Sequence, residues 1–494
     1  MKALKKLTGD TAIYGVSSII GRFLNWWLNP YWTYIFINQA EIGKIINIYA
    51  YVAFLFVFLT YGMETGFFRF ASGKKDKDLV FSTSLISIFS SSILFVLAII
   101  LFKDNLAVAL DIGGKPEFIV IMGITIALDV ISTIPFAKLR LQLRPLRFAY
   151  IKFINIGINI GLNFFFLSIC PLIEKHFPNT LFSNLYHFEY GIGYVFIANL
   201  ISSVVTLILL IPEMNVRLNF NRKLMGKMLN YSFPILIVGI TGMINQNIDK
   251  ILLPKLLPES DEPMKQLGIY GTAFKMAVLL NMFIQAFRFA FEPFFFSQKS
   301  DGETNKMYVV IMKYFTIIGL VIFLGMSTFS DLIMSINAPQ YREGVAVVPI
   351  ILLANLFMGI YFTLSLWYKL TDKTRFGAYF GILGSIITIV LNIVLIPVMG
   401  YYASAFAILS CFVVMTVASY LLGNKYYPLK YDIKNFMFYL ILSLVFFAIY
   451  WMIRTDDSPK YGMAIFINFV FIGIIILKEK REFRLLFKSE IKLK

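Results

Sequence analysis

Residues 234–253 read Pro234-Ile-Leu-Ile-Val-Gly-Ile-Thr-Gly-Met-Ile-Asn-Gln-Asn-Ile-Asp-Lys-Ile-Leu-Leu253. The run starts as an apolar helix, carries the adjacent opposite charges Asp249 and Lys250, and then becomes apolar again. It is long enough to span a bilayer, where a charge costs about 2.5–3.5 kcal/mol on insertion scales. Two interpretations follow: the helix lines a polar path, or the charged pair reaches the headgroups at the end of the helix.

The composition extends this pattern to the whole chain. Of its 494 residues, 59% are hydrophobic and 15% are charged, which is more apolar sequence than a soluble core requires. Apolar segments of bilayer length recur from 11–37 to 461–477, and they predict an all-α polytopic membrane protein with fourteen transmembrane helices. The two cysteines and two histidines have neither disulfide nor metal spacing, so we expect no bound metal or other cofactor.

The distribution of charge predicts the orientation. The net charge of +17 is compatible with nucleic-acid binding, but the basic residues lie in short loops such as 138–147 and 369–375. Loops of this kind mark the cytoplasmic side, so both termini are predicted to be cytoplasmic and we expect no nucleic-acid partner. The largest outer loop, 171–190, is too short to form a soluble domain, and its contact with cargo stays open.

An internal repeat divides the chain. Asn163 and Asn392 stand in similar apolar contexts at an offset of 229 residues, and Gly43 and Gly268 at an offset of 225. Six predicted helices separate the copies, and an even number preserves the insertion sense, so the repeats are parallel. We therefore predict a six-helix lobe at 1–213, a second at 214–424, two extra helices at 425–477 and a basic cytoplasmic tail at 478–494.

Three local patterns stand at the ends of predicted helices: Tyr61-Gly-Met-Glu-Thr-Gly-Phe-Phe-Arg-Phe70, Ile134-Pro-Phe-Ala-Lys-Leu-Arg140 and Phe289-Ala-Phe-Glu-Pro-Phe-Phe-Phe-Ser297. With the two halves and two extra helices, the chain resembles the multidrug/oligosaccharidyl-lipid/polysaccharide (MOP) exporter superfamily, and within it the polysaccharide-flippase, Wzx-like branch. The resemblance implies a bacterial inner-membrane translocase rather than an enzyme. It would move an undecaprenyl-pyrophosphate-linked oligosaccharide, a unit of O-antigen, capsule or exopolysaccharide, by alternating access. Polymerase and glycosyltransferases of the same pathway would be its partners.

The cargo's pyrophosphate requires cations inside the membrane, and Arg and Lys supply them. We expect Arg22, Lys250 and Lys275 to bind it, since the resemblance implies that their helices line the central cavity; ion pairing or snorkelling is the alternative. Glu64 and Arg288 lie at similar depth in the two halves. They are predicted to form a cytoplasmic gate, unless both face the inner headgroups.

The sequence contains no nucleotide-binding phosphate loop, so an ion gradient or the membrane potential should drive transport. Asp249 and Asn392 resemble part of the sodium site of lipid II flippases, although Ile396 stands where a further carboxylate is expected. Asp129 is an alternative site for a proton or cation, or else a buried carboxylate without a coupling role. Coupling to Na⁺ or H⁺ therefore stays open.

Other functions compete with this interpretation. A lipid II flippase or a cation-coupled drug exporter would share the fold, and a membrane glycosyltransferase, ligase or polymerase of the same pathway belongs to another class. Such enzymes usually need clustered catalytic groups on an outer loop, and 171–190 offers Glu174, Lys175, His176, His187 and Glu189 without metal spacing. A scaffold would not need charges within its helices. The aromatic residues of 26–34 are expected to form an interfacial belt.

Overall fold

The computed structural model of the chain describes residues 15, 19–72, 76–112, 114–176, 186–297, 302–371, 373–454 and 460–491. Within these residues the chain is helical and contains no strand. Thirteen described helices are long and apolar enough to cross a membrane, so the prediction of an all-α polytopic membrane protein is confirmed. The predicted first span, 11–37, begins outside the described residues and is helical from 19 to 26.

The contacts divide the chain into two compact units, Met1–Thr272 with Thr374–Cys411, and Ala273–Lys373 with Phe412–Lys494. Two of the three boundaries fall inside helices, Pro263–Ser297 and Tyr401–Tyr426. The predicted lobes at 1–213 and 214–424 stay a prediction.

The first unit begins with the helical turn at 19–26 and holds most of the helices of the first half. In chain order they are α1 (Leu28–Ile35), α2 (Gln39–Thr60), α3 (Met63–Ala71), α4 (Lys77–Ala109), α5 (Pro116–Leu141), α6 (Pro145–Phe164), α7 (Cys170–His176), α8 (Gly193–Leu210) and α9 (Arg222–Leu256), followed by the start of α10 (Pro263–Ser297). A π-helical turn, Phe165–Ile169, joins α6 to α7. The same unit contains α15 (Arg375–Met399) and the start of α16 (Tyr401–Tyr426).

The second unit contains the rest of α10 and the helices that follow it. These are α11 (Gly302–Thr328), α12 (Ser330–Met334), α13 (Val348–Leu364), α14 (Leu366–Leu370), the rest of α16, α17 (Ile433–Ile453) and α18 (Tyr461–Ile491). Helix α18 continues through most of the predicted basic tail, 478–494.

Local sequence explains where several helices start and stop. The side chains of Asn38 and Asn221 accept hydrogen bonds from the backbone amides of Ala40 (3.0 Å) and Leu224 (2.9 Å), which satisfies amide groups left open at the first turns of α2 and α9. Tyr61 and Gly62 both adopt positive φ, 34° and 68°, and separate α2 from α3. Two consecutive positive φ values would be costly if both residues carried a Cβ, and glycine at position 62 avoids half of that cost.

Helices α2 and α10 cross backbone to backbone within the first unit. A Cβ on Gly43 would lie 1.9 Å from the carbonyl oxygen of Met264, and one on Gly268 would lie 2.1 Å from that of Gln39. Gly43 and Gly268 are 225 residues apart, and so are Gln39 and Met264, so the contact is reciprocal, as at a two-fold axis. The crossing is thus made by the repeat-related glycines themselves.

The amides of the second repeat pair are also equivalent. Asn163 and Asn392 are fully buried, and each donates from Nδ2 to the carbonyl oxygen four residues earlier, at 2.8 and 2.7 Å. Asn163 accepts from the indole of Trp32 (2.9 Å) and Asn392 from the hydroxyl of Ser404 (3.0 Å). Trp32 is therefore a packed, hydrogen-bonded residue, not part of an interfacial belt.

The two extra helices cover one face of the second unit. The apolar window of α4 is 17% buried, whereas that of α11, six spans later, is 44% buried because α17 and α18 pack against it. Lys313 of α11 bonds Glu479 of α18 at 2.6 Å, and Tyr439 of α17 donates to the same carboxylate at 2.7 Å. Because Glu479 is buried, these bonds join the extra helices to α11 in one fixed arrangement.

Candidate functional site

The charges of the quoted segment form a buried ion pair. Asp249 and Lys250 lie on α9 with relative exposures of 0% and 6%, and the Lys250 ammonium is 3.2 Å from Oδ1 of Asp249. Lys250 Nζ also donates to the carbonyl oxygen of Gln246, 2.8 Å away. The ammonium is therefore bound by its own helix and does not extend to the headgroups.

Two neighbouring helices of the same unit complete this cluster. Tyr270 of α10, itself fully buried, donates its hydroxyl hydrogen to Oδ2 of Asp249 at 2.5 Å. Asn47 of α2 donates to the carbonyl oxygen of Lys250 at 3.0 Å. Charge and hydrogen-bonding capacity are thus satisfied in the low-dielectric interior, where an unpaired charge would be costly. The structure brings together one residue expected to bind cargo and one expected to couple ions.

The proposed sodium ligands have other partners here. Asp249 is contacted by an ammonium and a hydroxyl hydrogen, neither of which donates electrons to a cation, and Ile396 is buried. Asn392 is hydrogen-bonded to Thr388 and Ser404. In this arrangement the residues do not fit a sodium ion. The described residues also hold no group of three or more His, Cys, Asp or Glu suited to a metal.

Helices α9 and α15 are joined beside this cluster. Ser385 donates to Oδ1 of Asn245 at 3.0 Å, and Asn245 Nδ2 is 3.4 Å from the carbonyl oxygen of Gly381. A Cβ on Gly381 would lie 2.5 Å from the hydroxyl of Thr241, so the two helices pack closely. The polar residues that follow Pro234 therefore face protein on this side.

A second polar network lies among α2, α5, α6 and α8. Asn159 of α6 donates to Asn199 of α8 at 2.9 Å, and Asn199 donates to the hydroxyl of Tyr49 on α2 at 2.6 Å. Ser203, one turn further along α8, donates to Asp129 of α5 at 2.7 Å. Asp129, which the sequence proposes for ion coupling, is therefore hydrogen-bonded to the same face of α8 that carries Asn199.

Sequence reasoning missed the polar face of α6. Lys152, Asn155, Asn159 and Asn163 recur at intervals of three and four residues, which places them on one side of the helix. Lys152 is exposed, with its ammonium 4.3 Å from the ring centroid of Phe136. It lies about 10 Å along the helix from Pro145, at 1.5 Å per residue. The periodicity was present in the sequence, within a segment assigned as an ordinary apolar span.

The helical segment that carries Arg22 packs against α6. Arg22 is exposed on the helical turn 19–26, and a Cβ on the preceding Gly21 would lie 2.7 Å from Cδ1 of Ile156 on α6. The first unit thus has two exposed cationic side chains, Arg22 and Lys152, on neighbouring helices.

The predicted gate residues have separate surroundings. Glu64 forms an ion pair with Arg140, whose guanidinium is 5.3 Å from the ring centroid of Phe68. Arg288, in the second unit, places its guanidinium 4.2 Å from the ring centroid of Phe362. Lys275 is half-buried on α10 in that unit. The pairing of Glu64 with Arg288 stays a prediction.

Comparisons with known proteins complete this description. The family model described as "Polysaccharide biosynthesis protein" matches residues 7–299, which is more than half of the chain. No curated protein matches the sequence.

Two similar solved structures share the fold at low identity. One, "Lipid II flippase MurJ, inward closed conformation", has a TM-score of 0.69 at 15% identity and covers 94% of this chain and 99% of its own. An inward-facing multidrug resistance MATE family transporter of the MOP superfamily has a TM-score of 0.65 at 12% identity and covers 85% of this chain and 97% of its own. The resemblance to the MOP superfamily is therefore confirmed at the level of the fold. The chain belongs to the polysaccharide biosynthesis protein family.

Proposed function

We propose that this protein is a flippase that moves an undecaprenyl-pyrophosphate-linked oligosaccharide between the leaflets of the bacterial inner membrane. The observation that carries the proposal is the face of α6, where Lys152, Asn155 and Asn159 interrupt an otherwise apolar membrane-spanning helix. The exposed Arg22 lies on the segment 19–26, whose Gly21 packs against Ile156 of the same helix. Polar side chains at such depth are costly, and in membrane proteins they mark the paths of polar substrates.

The chemistry of this face suits the proposed headgroup. A guanidinium donates paired hydrogen bonds to phosphate oxygens, and an ammonium supplies a compact positive charge. Arg22 and Lys152 provide one of each, and the amides of Asn155 and Asn159 can exchange their present hydrogen bonds for sugar hydroxyls. Lys275 remains a proposed phosphate ligand from the second unit.

For Lys250 the geometry supports an additional role. Its ammonium neutralises Asp249, so the buried pair has no net charge in this state. Binding of the pyrophosphate by Lys250 would require it to leave Asp249. Asp249 and Asp129 remain the proposed ion-coupling carboxylates. The membrane potential adds about 2.3 kcal/mol per charge per 100 mV.

A lipid II flippase is the second candidate, because the similar fold named above belongs to one. Lipid II shares the undecaprenyl-pyrophosphate anchor, so Arg22 and Lys152 suit the headgroup of both cargos. Depletion of this protein in its host separates the two. We expect the lipid-linked surface-polysaccharide unit to accumulate where an impermeant outer-leaflet reagent cannot reach it, while lipid II remains accessible. Trapping of lipid II alone would support the second candidate, and unchanged accessibility of both would refute transport of either.

A further inference from the structure

A cavity of about 530 Å³ lies at one end of the first unit, away from the networks described above. It is formed by the end of α1, the start of α2, the turn before α5 and the segment 186–192. Its polar and aromatic lining includes Tyr34, Asn38, Glu41, Lys115, Glu189 and Tyr190. The volume lies within the range of about 300–1,000 Å³ that is typical of small-molecule sites.

The aromatic wall of this cavity is held rigid by packing. Tyr190 packs edge-on against Phe118 and against Tyr194, with ring centroids 5.2 Å apart in both pairs, and Tyr186 stacks on Tyr194 at 4.8 Å. Tyr34, which also lines the cavity, is 56% exposed. One aromatic surface of the cavity is thus preorganised and another is accessible, which lowers the entropic cost of binding a ring there.

The charges of the cavity are balanced. Lys44 bonds Glu41 at 3.1 Å, and the Lys115 ammonium donates to the backbone carbonyl oxygen of Glu189 at 2.7 Å. Glu189 itself is exposed. Two lysines and two glutamates give no net positive charge, so the lining does not favour a pyrophosphate. Burial raises the pKa of Tyr190, so its hydroxyl is a neutral donor and acceptor at physiological pH.

Aromatic faces combined with carboxylates and amides match the chemistry of a sugar. A pyranose presents an apolar C–H surface to an aromatic ring and hydroxyl groups to acceptors at its edge. The segment 186–192 overlaps the end of the loop 171–190, which charge distribution predicts to be outside. We propose that this cavity binds the saccharide portion of the cargo on the outer side, after its lipid headgroup has crossed. The inference rests on the proposed function for the identity of the saccharide.

Direct binding to the full-length protein in lipid nanodiscs tests the inference. The probe is the lipid-free oligosaccharide released by mild acid hydrolysis from the host's own surface polysaccharide, followed by saturation-transfer NMR. We expect saturable binding that Tyr34→Ala weakens about tenfold, whereas Tyr34→Phe, which keeps the ring, retains it. Glu189→Gln should also weaken it. The matched control is Tyr150→Ala on α6, a tyrosine of similar exposure (55%) outside the cavity.

Absence of saturable binding, or equal weakening by Tyr34→Ala and Tyr150→Ala, would overturn the saccharide site. Cross-linking of the cavity to an outer protein segment without saccharide binding would also overturn it. The depletion experiment reports separately on transport. Accessible lipid-linked units in depleted cells, together with saccharide binding, would support the saccharide site and refute the flippase. Trapped units without saccharide binding would support the flippase and overturn the saccharide site.

Discussion

At the scale of single residues, Asp249 and Lys250 form a buried ion pair within a helix long and apolar enough to span a membrane. Both side chains are buried, and the pair is enclosed by Tyr270 and Asn47. Removing one charge from a buried pair leaves the other uncompensated, at a cost of about 3–5 kcal/mol, whereas removing both can be nearly neutral. Structural and cargo-binding roles of Lys250 can therefore be separated by comparing single and double variants.

We expect Lys250→Met to destabilise the purified protein by about 3 kcal/mol, and Asp249→Asn with Lys250→Met to recover most of that loss. Thermal unfolding in detergent measures both. If Lys250 also binds cargo, the double variant should reach normal membrane abundance and still fail to export. Additive destabilisation by the two changes would contradict the buried pair, and normal export by the stable double variant would remove Lys250 from the binding site.

The sequence identified these two residues but not their surroundings. Adjacent charges inside an apolar run are visible without a structure. Tyr270 and Asn47 are supplied by helices that the fold brings together, and nothing in their local sequence marks them as partners. For the same reason Glu64 was assigned to Arg288 by depth alone, whereas in this structure it pairs with Arg140.

At the scale of elements, the crossing of α2 and α10 depends on glycine. A Cβ on Gly43 or Gly268 would lie too close to a backbone carbonyl oxygen for any side chain to fit. The backbone cannot move aside as a flexible side chain does. The repeat offset predicted that these glycines are equivalent. It could not predict that they touch, because equivalence under a two-fold axis holds at any distance from that axis.

We expect Gly43→Ala to destabilise the protein by at least about 2 kcal/mol, since the helices must separate. The control is Gly157→Ala on α6, where no atom lies within 4 Å of the added Cβ. That change should be neutral or stabilising by about 0.5–1 kcal/mol, because alanine is the better helix former. Thermal unfolding compares the two variants, and equal effects would mean that α2 and α10 do not meet at this position.

At the scale of the whole molecule, composition and helix length predicted the fold class, whereas the repeat carried no prediction about which helices are buried. The windows of α5 and of the segment that contains α13 are each 67% buried, and they are the fourth spans of the predicted halves. The two exposed cations proposed to bind the headgroup were predicted only in part. Arg22 was identified, but Lys152 was not, because a lysine near a helix start looks like a topology signal until its position along α6 is known.

Reconstitution tests the central claim most directly. Purified protein in proteoliposomes is given an undecaprenyl-pyrophosphate-linked oligosaccharide in one leaflet, and its arrival in the other is followed with an impermeant reagent. We predict transfer by the wild type, a loss of at least about tenfold in Arg22→Ala with Lys152→Ala, and no loss in the control Lys227→Ala, an exposed lysine at the start of α9. No transfer by folded wild-type protein, or equal transfer by all three proteins, would contradict a cationic path for a lipid-linked saccharide.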